Sequence, residues 1–135
     1  MFRTTTMAAI CLAASATIAP ASEFEPALRE MSETRLPALL SDPAIVAAII
    51  AQNAETAGMA EDAIVSLDTR WRAEVGAGAS PTVDGVMGAP LSDALRAMRD
   101  ESGGLFTEIF VMDAVGLNVA ASDVTSDYWQ GDEAK

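Results

Sequence analysis

The stretch Glu108 to Lys135, E-I-F-V-M-D-A-V-G-L-N-V-A-A-S-D-V-T-S-D-Y-W-Q-G-D-E-A-K, carries the strongest fold signal in the 135-residue chain. Ile109 to Met112 is a continuous apolar run, Asp113-Ala114-Val115-Gly116 is a turn, and Leu117 to Ala121 returns apolar, the pattern of an antiparallel hairpin. Asp113 can accept hydrogen bonds from the turn backbone and Gly116 can take positive φ, so Asp113 reads as a turn residue ahead of a ligand. Beyond the hairpin, Ser122, Asp123, Thr125, Ser126, Asp127, Tyr128, Trp129, Gln130 and Asp132 crowd one loop. Donors, acceptors and rings at that density suit a small polar ligand.

Upstream of the hairpin the chain reads as helix. Ser22 and Glu25 have capping-box spacing, and Phe24, Leu28, Met31, Leu36, Leu39 and Leu40 approximate one apolar stripe, with a kink expected at Pro37. Asp42-Pro43 is an N-cap followed by proline at the first helical position, opening a helix with Ile45, Val46, Ile49 and Ile50 on one face and Gly58 as its stop. A further helix spans about Ala60 to Val75, with Ile64, Leu67, Trp71 and Val75 in register and Gly76-Ala77-Gly78 closing it. Gly76 to Pro90 reads as a loop with a short turn around Val83, Val86 and Met87. Ser92 is placed as the cap of a short helix carrying Leu95 and Met98 and ending at Gly103-Gly104, with the first strand starting near Leu105. Helices followed by a hairpin make the fold α+β.

F-V-M-D-A-V-G-L-N-V at Phe110 to Val119 and S-D-V-T-S-D-Y-W-Q-G-D-E at Ser122 to Glu133 resemble the Cache family of extracytoplasmic sensor domains, also called PDC sensors. The helical runs L-P-A-L-L-S-D-P-A-I-V-A-A-I at Leu36 to Ile49 and L-D-T-R-W-R-A-E-V at Leu67 to Val75 extend the likeness over most of the chain, and small secreted PDC sensor domain proteins are the most similar members. The resemblance implies long N-terminal helices on an antiparallel PAS-like sheet of about five strands. A lone hairpin leaves two unpaired edges, so the expectation is a domain truncated after its first hairpin, with a tightly dimerised short form as the alternative. It also implies ligand sensing, with the signal passed to a membrane-bound partner.

The N-terminus bears on compartment. Arg3, the twelve-residue apolar run Met7 to Ile18 and Ala19-Pro20-Ala21 have the order of a secretory signal peptide cleaved before Ser22, which implies a periplasmic or secreted protein. A membrane span needs about 20 apolar residues, and Pro20 ends this run sooner. Cys11 lies inside the run, after Ile10, and reads as an ordinary signal-peptide residue. Residues 22–135 form one domain with seven basic and twenty acidic side chains, a net charge of −13. That balance argues against nucleic-acid binding, which rests on Lys and Arg displacing counterions, and favours cationic, zwitterionic or metal ligands; keeping a secreted protein soluble is the other reading of the charge.

Two groups are candidates for ligand binding. Trp71 and Arg72 stand where the resemblance places an aromatic and an arginine that hold carboxylates; Arg can clamp a carboxylate with paired bonds and an indole face can hold an ammonium. The alternative is that Trp71 is core and Arg72 solvated, while Arg70, two residues away, faces another side. Asp127, Tyr128 and Trp129 can box an amine, or Trp129 can cover the sheet end while Tyr128 fastens the loop. An EF-hand aligned from Asp123 fails because Tyr128 replaces the glycine and Ala134 the closing glutamate. With no histidine, and Cys11 as the only cysteine, His- or Cys-based catalysis has no residues to use, and neither a catalytic constellation nor a cofactor motif is present. The sequence therefore points to a sensor or ligand-binding domain for an amino acid, amine or carboxylate, with a secreted, helix-mediated dimerisation module as the alternative.

Overall fold

The computed structural model describes residues 24–132. The expected signal peptide, its cleavage site and the Ser22 half of the capping box lie outside the described residues.

From Glu25 to Leu40 the chain is helical in three pieces: α1 (Glu25–Glu30), a π-helical turn (Met31–Arg35) and α2 (Leu36–Leu40). Pro37 has no N–H to offer and its ring crowds the carbonyl four residues back. The helix widens just before it, where Leu36 N–H bonds to Met31 O, so the expected kink takes the form of a π-turn. The apolar stripe is not buried as expected. Met31 and Leu39 are half-buried, but Phe24, Leu28, Leu36 and Leu40 remain 37 to 72% exposed. The segment packs on itself and on the start of the next helix, from which it diverges by 59°.

α3 (Pro43–Thr56) starts as the sequence predicts, with Asp42 Oδ1 accepting from Ala44 N at 2.8 Å and Ile45 N at 3.3 Å. Its buried face differs from the expected one: Ile45 and Thr56 are buried, Ile49, Gln52 and Asn53 are half-buried, and Val46 and Ile50 face out. The reason is what α3 meets. Its last two turns lie against the hairpin turn, whose polar backbone needs partners.

α4 (Glu61–Glu74) buries Ile64, Asp68, Trp71 and Glu74, while Val75, beyond its end, is exposed. Glu74 then opens α5 (Pro81–Met87), accepting from Thr82 N at 2.6 Å, Thr82 Oγ1 at 2.8 Å and Val83 N at 3.1 Å. Burial works to raise the Glu74 pKa. The hydrogen bonds from Thr82 and Val83, with the charge of Arg70, outweigh it and hold the carboxyl below its usual range. The stretch read as a loop with a turn is thus ordered by a carboxylate eight residues away.

α6 (Pro90–Glu101) starts two residues before the expected cap, with Pro90 at its first position. Ser92 is not the cap. It is fully buried, donating to Val86 O at 2.7 Å and accepting from Ala121 N at 3.1 Å, so it joins α5, α6 and the hairpin.

The hairpin strands are β1 (Phe110–Met112), five residues later than expected, and β2 (Asn118–Ala121), paired antiparallel with Phe110 opposite Ala121 and Val111 opposite Ala120. Met112 pairs with Asn118, so Val119 is an extra residue that bulges β2. Trp129 adds an antiparallel bridge to Leu117, flanked by Asn118 N to Tyr128 O at 3.0 Å and Gln130 N to Gly116 O at 2.8 Å. α3 covers both strands, and α5 and α6 cover β2. The class is therefore α+β, with helices and an antiparallel hairpin sharing one core of Ile45, Ile64, Trp71, Val83, Leu95 and Leu117.

Gly116 has φ of +89°, and a Cβ there would lie 2.8 Å from Gly131 Cα. Both the conformation and the close approach require glycine. Gly116→Ala is expected to destabilise the domain by about 1–3 kcal/mol in chemical denaturation, the range for such backbone strain. Gly78→Ala, which meets nothing within 4 Å, should change it by no more than about 0.5 kcal/mol.

Candidate functional site

Two sequence-distant segments, α4 and the loop after β2, meet at the candidate site. Asp68 and Glu74 share the inward face of α4 with Ile64 and Trp71, which places two carboxylates in the core. A buried carboxylate is stable only when donors surround it. Asp68 Oδ1 accepts from Tyr128 N at 2.8 Å and Trp129 N at 3.1 Å, and its Oδ2 accepts from Arg72 Nε at 2.6 Å. Burial favours the neutral acid, but these hydrogen bonds and the charge of Arg72 prevail, so the Asp68 pKa lies below its ordinary value.

All five predicted ligand-binding residues come together on this patch. Trp71 is fully buried; its ring stacks on Tyr128 with centroids 5.1 Å apart and an interplanar angle of 11°, and its Nε1 donates to Thr125 O at 2.8 Å. Arg72 Nη1 pairs with Asp127 Oδ1 at 2.9 Å, so one guanidinium spans Asp68 and Asp127. Trp129 donates from Nε1 to Val115 O at 2.8 Å and covers the end of the hairpin. Of the alternatives weighed for Trp71, the core placement is the one found. Arg72 is not simply solvated, since it ties loop to helix while about half of its side chain stays exposed. Tyr128 is held by its ring and its N–H. Burial first, then the charges of Asp113 and Glu55, push its hydroxyl pKa up.

The loop itself is a dense set of local bonds. Asp127 O accepts from Asn118 Nδ2 at 3.1 Å, Thr125 Oγ1 at 2.7 Å and Gln130 Nε2 at 3.0 Å. Asn118 is completely buried, and its Oδ1 is the buried side-chain acceptor without a donor among the described residues. Such an orphan costs about 1–3 kcal/mol. Asp123 is taken by Arg99. No group of three or more Asp, Glu, His or Cys side chains that could hold a metal ion occurs among the described residues.

Asp113 behaves as the turn residue the sequence predicts. Its Oδ1 accepts from Val115 N at 3.0 Å and Leu117 N at 2.9 Å, and its Oδ2 accepts from Thr56 Oγ1 at 2.9 Å and Gln52 Nε2 at 3.2 Å. Sequence reasoning missed Asp68, the residue on which the patch turns. The available signal was its position: Asp68 falls one turn after Ile64 and three residues before Trp71, on a stripe otherwise read as apolar.

No family model, curated protein or solved structure matches the chain.

The lowered Asp68 pKa fixes the sign of a pH effect. Its stabilising contribution is complete above the unfolded carboxylate value of about 3.9 and is lost as pH falls through the lower folded value. The wild-type melting temperature should therefore drop with acidification below about pH 4, and Asp68→Asn should start lower at pH 7 and lose less between pH 5 and 3. Equal acid slopes for both proteins in a thermal melt series would remove Asp68 from this role.

Proposed function

We propose that this chain is an extracytoplasmic, Cache-like sensor or ligand-binding domain that recognises a small polar molecule, an amino acid, amine or carboxylate, and passes its liganded state to a membrane-bound signalling partner. The signal peptide pattern of residues 1–21 and the C-terminal run resembling Cache domains support this reading. The observation that carries it is the convergence of Trp71 and Arg72 with Asp127, Tyr128 and Trp129, residues more than fifty positions apart, onto one patch. Arg72 offers a half-exposed guanidinium to a carboxylate, and Asp127 offers its charge to an ammonium. Because the two are paired with each other, a ligand enters by exchange: it takes one partner and releases the other. A donor-bearing ligand reaching the loop would also relieve Asn118 Oδ1. The role is binding, without catalysis and without cofactor or metal.

A thermal-shift screen of amino acids, polyamines and small carboxylates on residues 22–135, and on a chain extended past Lys135 if the gene continues, tests this. A true ligand at a hundred times its Kd adds about 2.7 kcal/mol to the native state. Arg72→Ala and Asp127→Ala should abolish the shift; Asp127→Ala should lower the unliganded melt slightly, since it loses one partly exposed ion pair, and Arg72→Ala should lower it more, since it also takes the Nε donor from the buried Asp68. Trp71→Ala should cost roughly 3–5 kcal/mol without ligand, as buried tryptophans do. A ligand shift that survives both Arg72→Ala and Asp127→Ala refutes the site.

The alternative, a secreted module that dimerises through its N-terminal helix, draws on the exposed Leu28, Leu36 and Leu40. It predicts a melting temperature that rises with protein concentration and a dimer mass by light scattering. A concentration-independent monomer rejects it.

A further inference from the structure

A second site lies away from this patch, where the α2–α3 junction faces α6. Leu39, Ile45, Leu91, Leu95 and Met98 line an apolar cavity of about 190 Å³ between them. Leu95 is completely buried and Ile45 nearly so, which makes the floor of this cavity part of the fixed core. A wider recess of about 340 Å³ opens from it toward solvent, sharing Leu39, Asp42 and Met98 and bounded by Arg35 and Ala38. Asp42 borders both spaces, so the inner chamber is apolar except for that carboxylate at its rim, and the outer recess adds Arg35.

The two charges at the mouth are not equivalent. Asp42 Oδ1 is committed to Ala44 N and Ile45 N, where the first turn of α3 meets its negative charge. Arg35 has no ion-pair or hydrogen-bond partner for its side chain among the described residues, whereas Arg29, Arg72, Arg96 and Arg99 are each bridged to a carboxylate. In a chain with 20 acidic side chains and 8 basic ones, an arginine without a partner among the described residues, beside an apolar chamber, can meet an outside anion. An enclosed apolar cavity of about 150 Å³ holds a benzene ring, so a cleft of this size has room for an apolar guest. Scaled from that six-carbon ring, 190 Å³ has room for roughly seven carbons of a tail.

From this geometry we propose that the cleft between the α2–α3 junction and α6 binds a short-chain or medium-chain aliphatic carboxylate, with the tail in the Leu39–Leu95–Met98 chamber and the carboxylate on Arg35. The site is independent of the Trp71–Asp127 patch, and its ligand is recognised by an apolar tail where that patch has none to offer.

Isothermal titration of residues 22–135 with octanoate, kept below micellar concentrations, tests the assignment, with octan-1-ol as the uncharged comparison. The expected result is saturable binding of one octanoate per chain, with a negative heat-capacity change from burial of the tail. Ala94→Phe, which adds a ring at the chamber wall, should abolish binding of both compounds. Arg35→Gln, on an exposed position, should weaken octanoate by about tenfold, the scale of one charge-assisted hydrogen bond, and leave octanol unchanged. Arg70→Gln, which removes an exposed charge that lines neither recess, should alter neither affinity. Absence of saturable octanoate binding, or equal octanoate affinity in Arg35→Gln and wild type, overturns the proposal. Arg35→Gln keeps the test decisive if Ala94→Phe fails to fold.

Discussion

Burying a carboxylate in an acidic chain is the constraint on which the arrangement depends. With few cations to pair, buried acids must find donors elsewhere, and here they find them in the backbone. Asp68, Glu74 and Asp113 each accept two or more N–H groups from segments that have no other secondary-structure partner for them. Each carboxylate therefore orders a stretch of chain: Asp68 the Tyr128–Trp129 segment, Glu74 the start of α5, and Asp113 the hairpin turn. Removing one would leave both an unsatisfied set of amides and a loop with nothing to define its path.

These three anchors also explain which features could be read in the sequence. Asp42-Pro43, Gly58, Gly76 and the Asp113–Gly116 turn were legible because their chemistry is local: a cap bonds amides two and three residues on, and glycine permits a positive φ by itself. Pro90 starts α6 by the same local rule, yet Ser92 looked the better cap because a serine hydroxyl is equally suited to holding a distant strand. α5 was illegible because its cap comes from Glu74, outside its own stretch. The stripes on α1–α2 and α3 misled for a related reason. Periodicity reports which residues could be buried together, and the partner surface decides which ones are; the hairpin turn presented polar groups to α3, so Gln52, Asn53 and Thr56 face inward and Ile50 does not.

The candidate site was partly legible as well. Its five residues were chosen from their chemistry and from the Cache resemblance, and they do share one patch, but most of their polar groups are spent on one another. The indole nitrogens of Trp71 and Trp129 donate to backbone carbonyls, and Arg72 is divided between Asp68 and Asp127. Residue type predicts what a side chain can bind and cannot predict whether a neighbour in the fold has already claimed it.

That internal pairing shapes what recognition here would require. Asp68 holds Arg72 through Nε in a part-buried contact, while Asp127, somewhat more exposed than Asp68, meets Nη1. On the proposed binding role, a competing carboxylate would displace Asp127 and leave the Asp68–Nε bond in place, so the guanidinium would stay oriented while its outer nitrogens change partner. Asp127 is also the residue whose carbonyl gathers Asn118, Thr125 and Gln130. Exchange at its side chain therefore acts on the loop at the point where its internal bonds converge, which would couple occupancy at Arg72 to the conformation of the segment joining β2 to Trp129. The stack of the buried Trp71 on the half-buried Tyr128 would set the limit of that movement, because separating the rings would expose apolar surface that the exchange of one ion pair for another does not compensate.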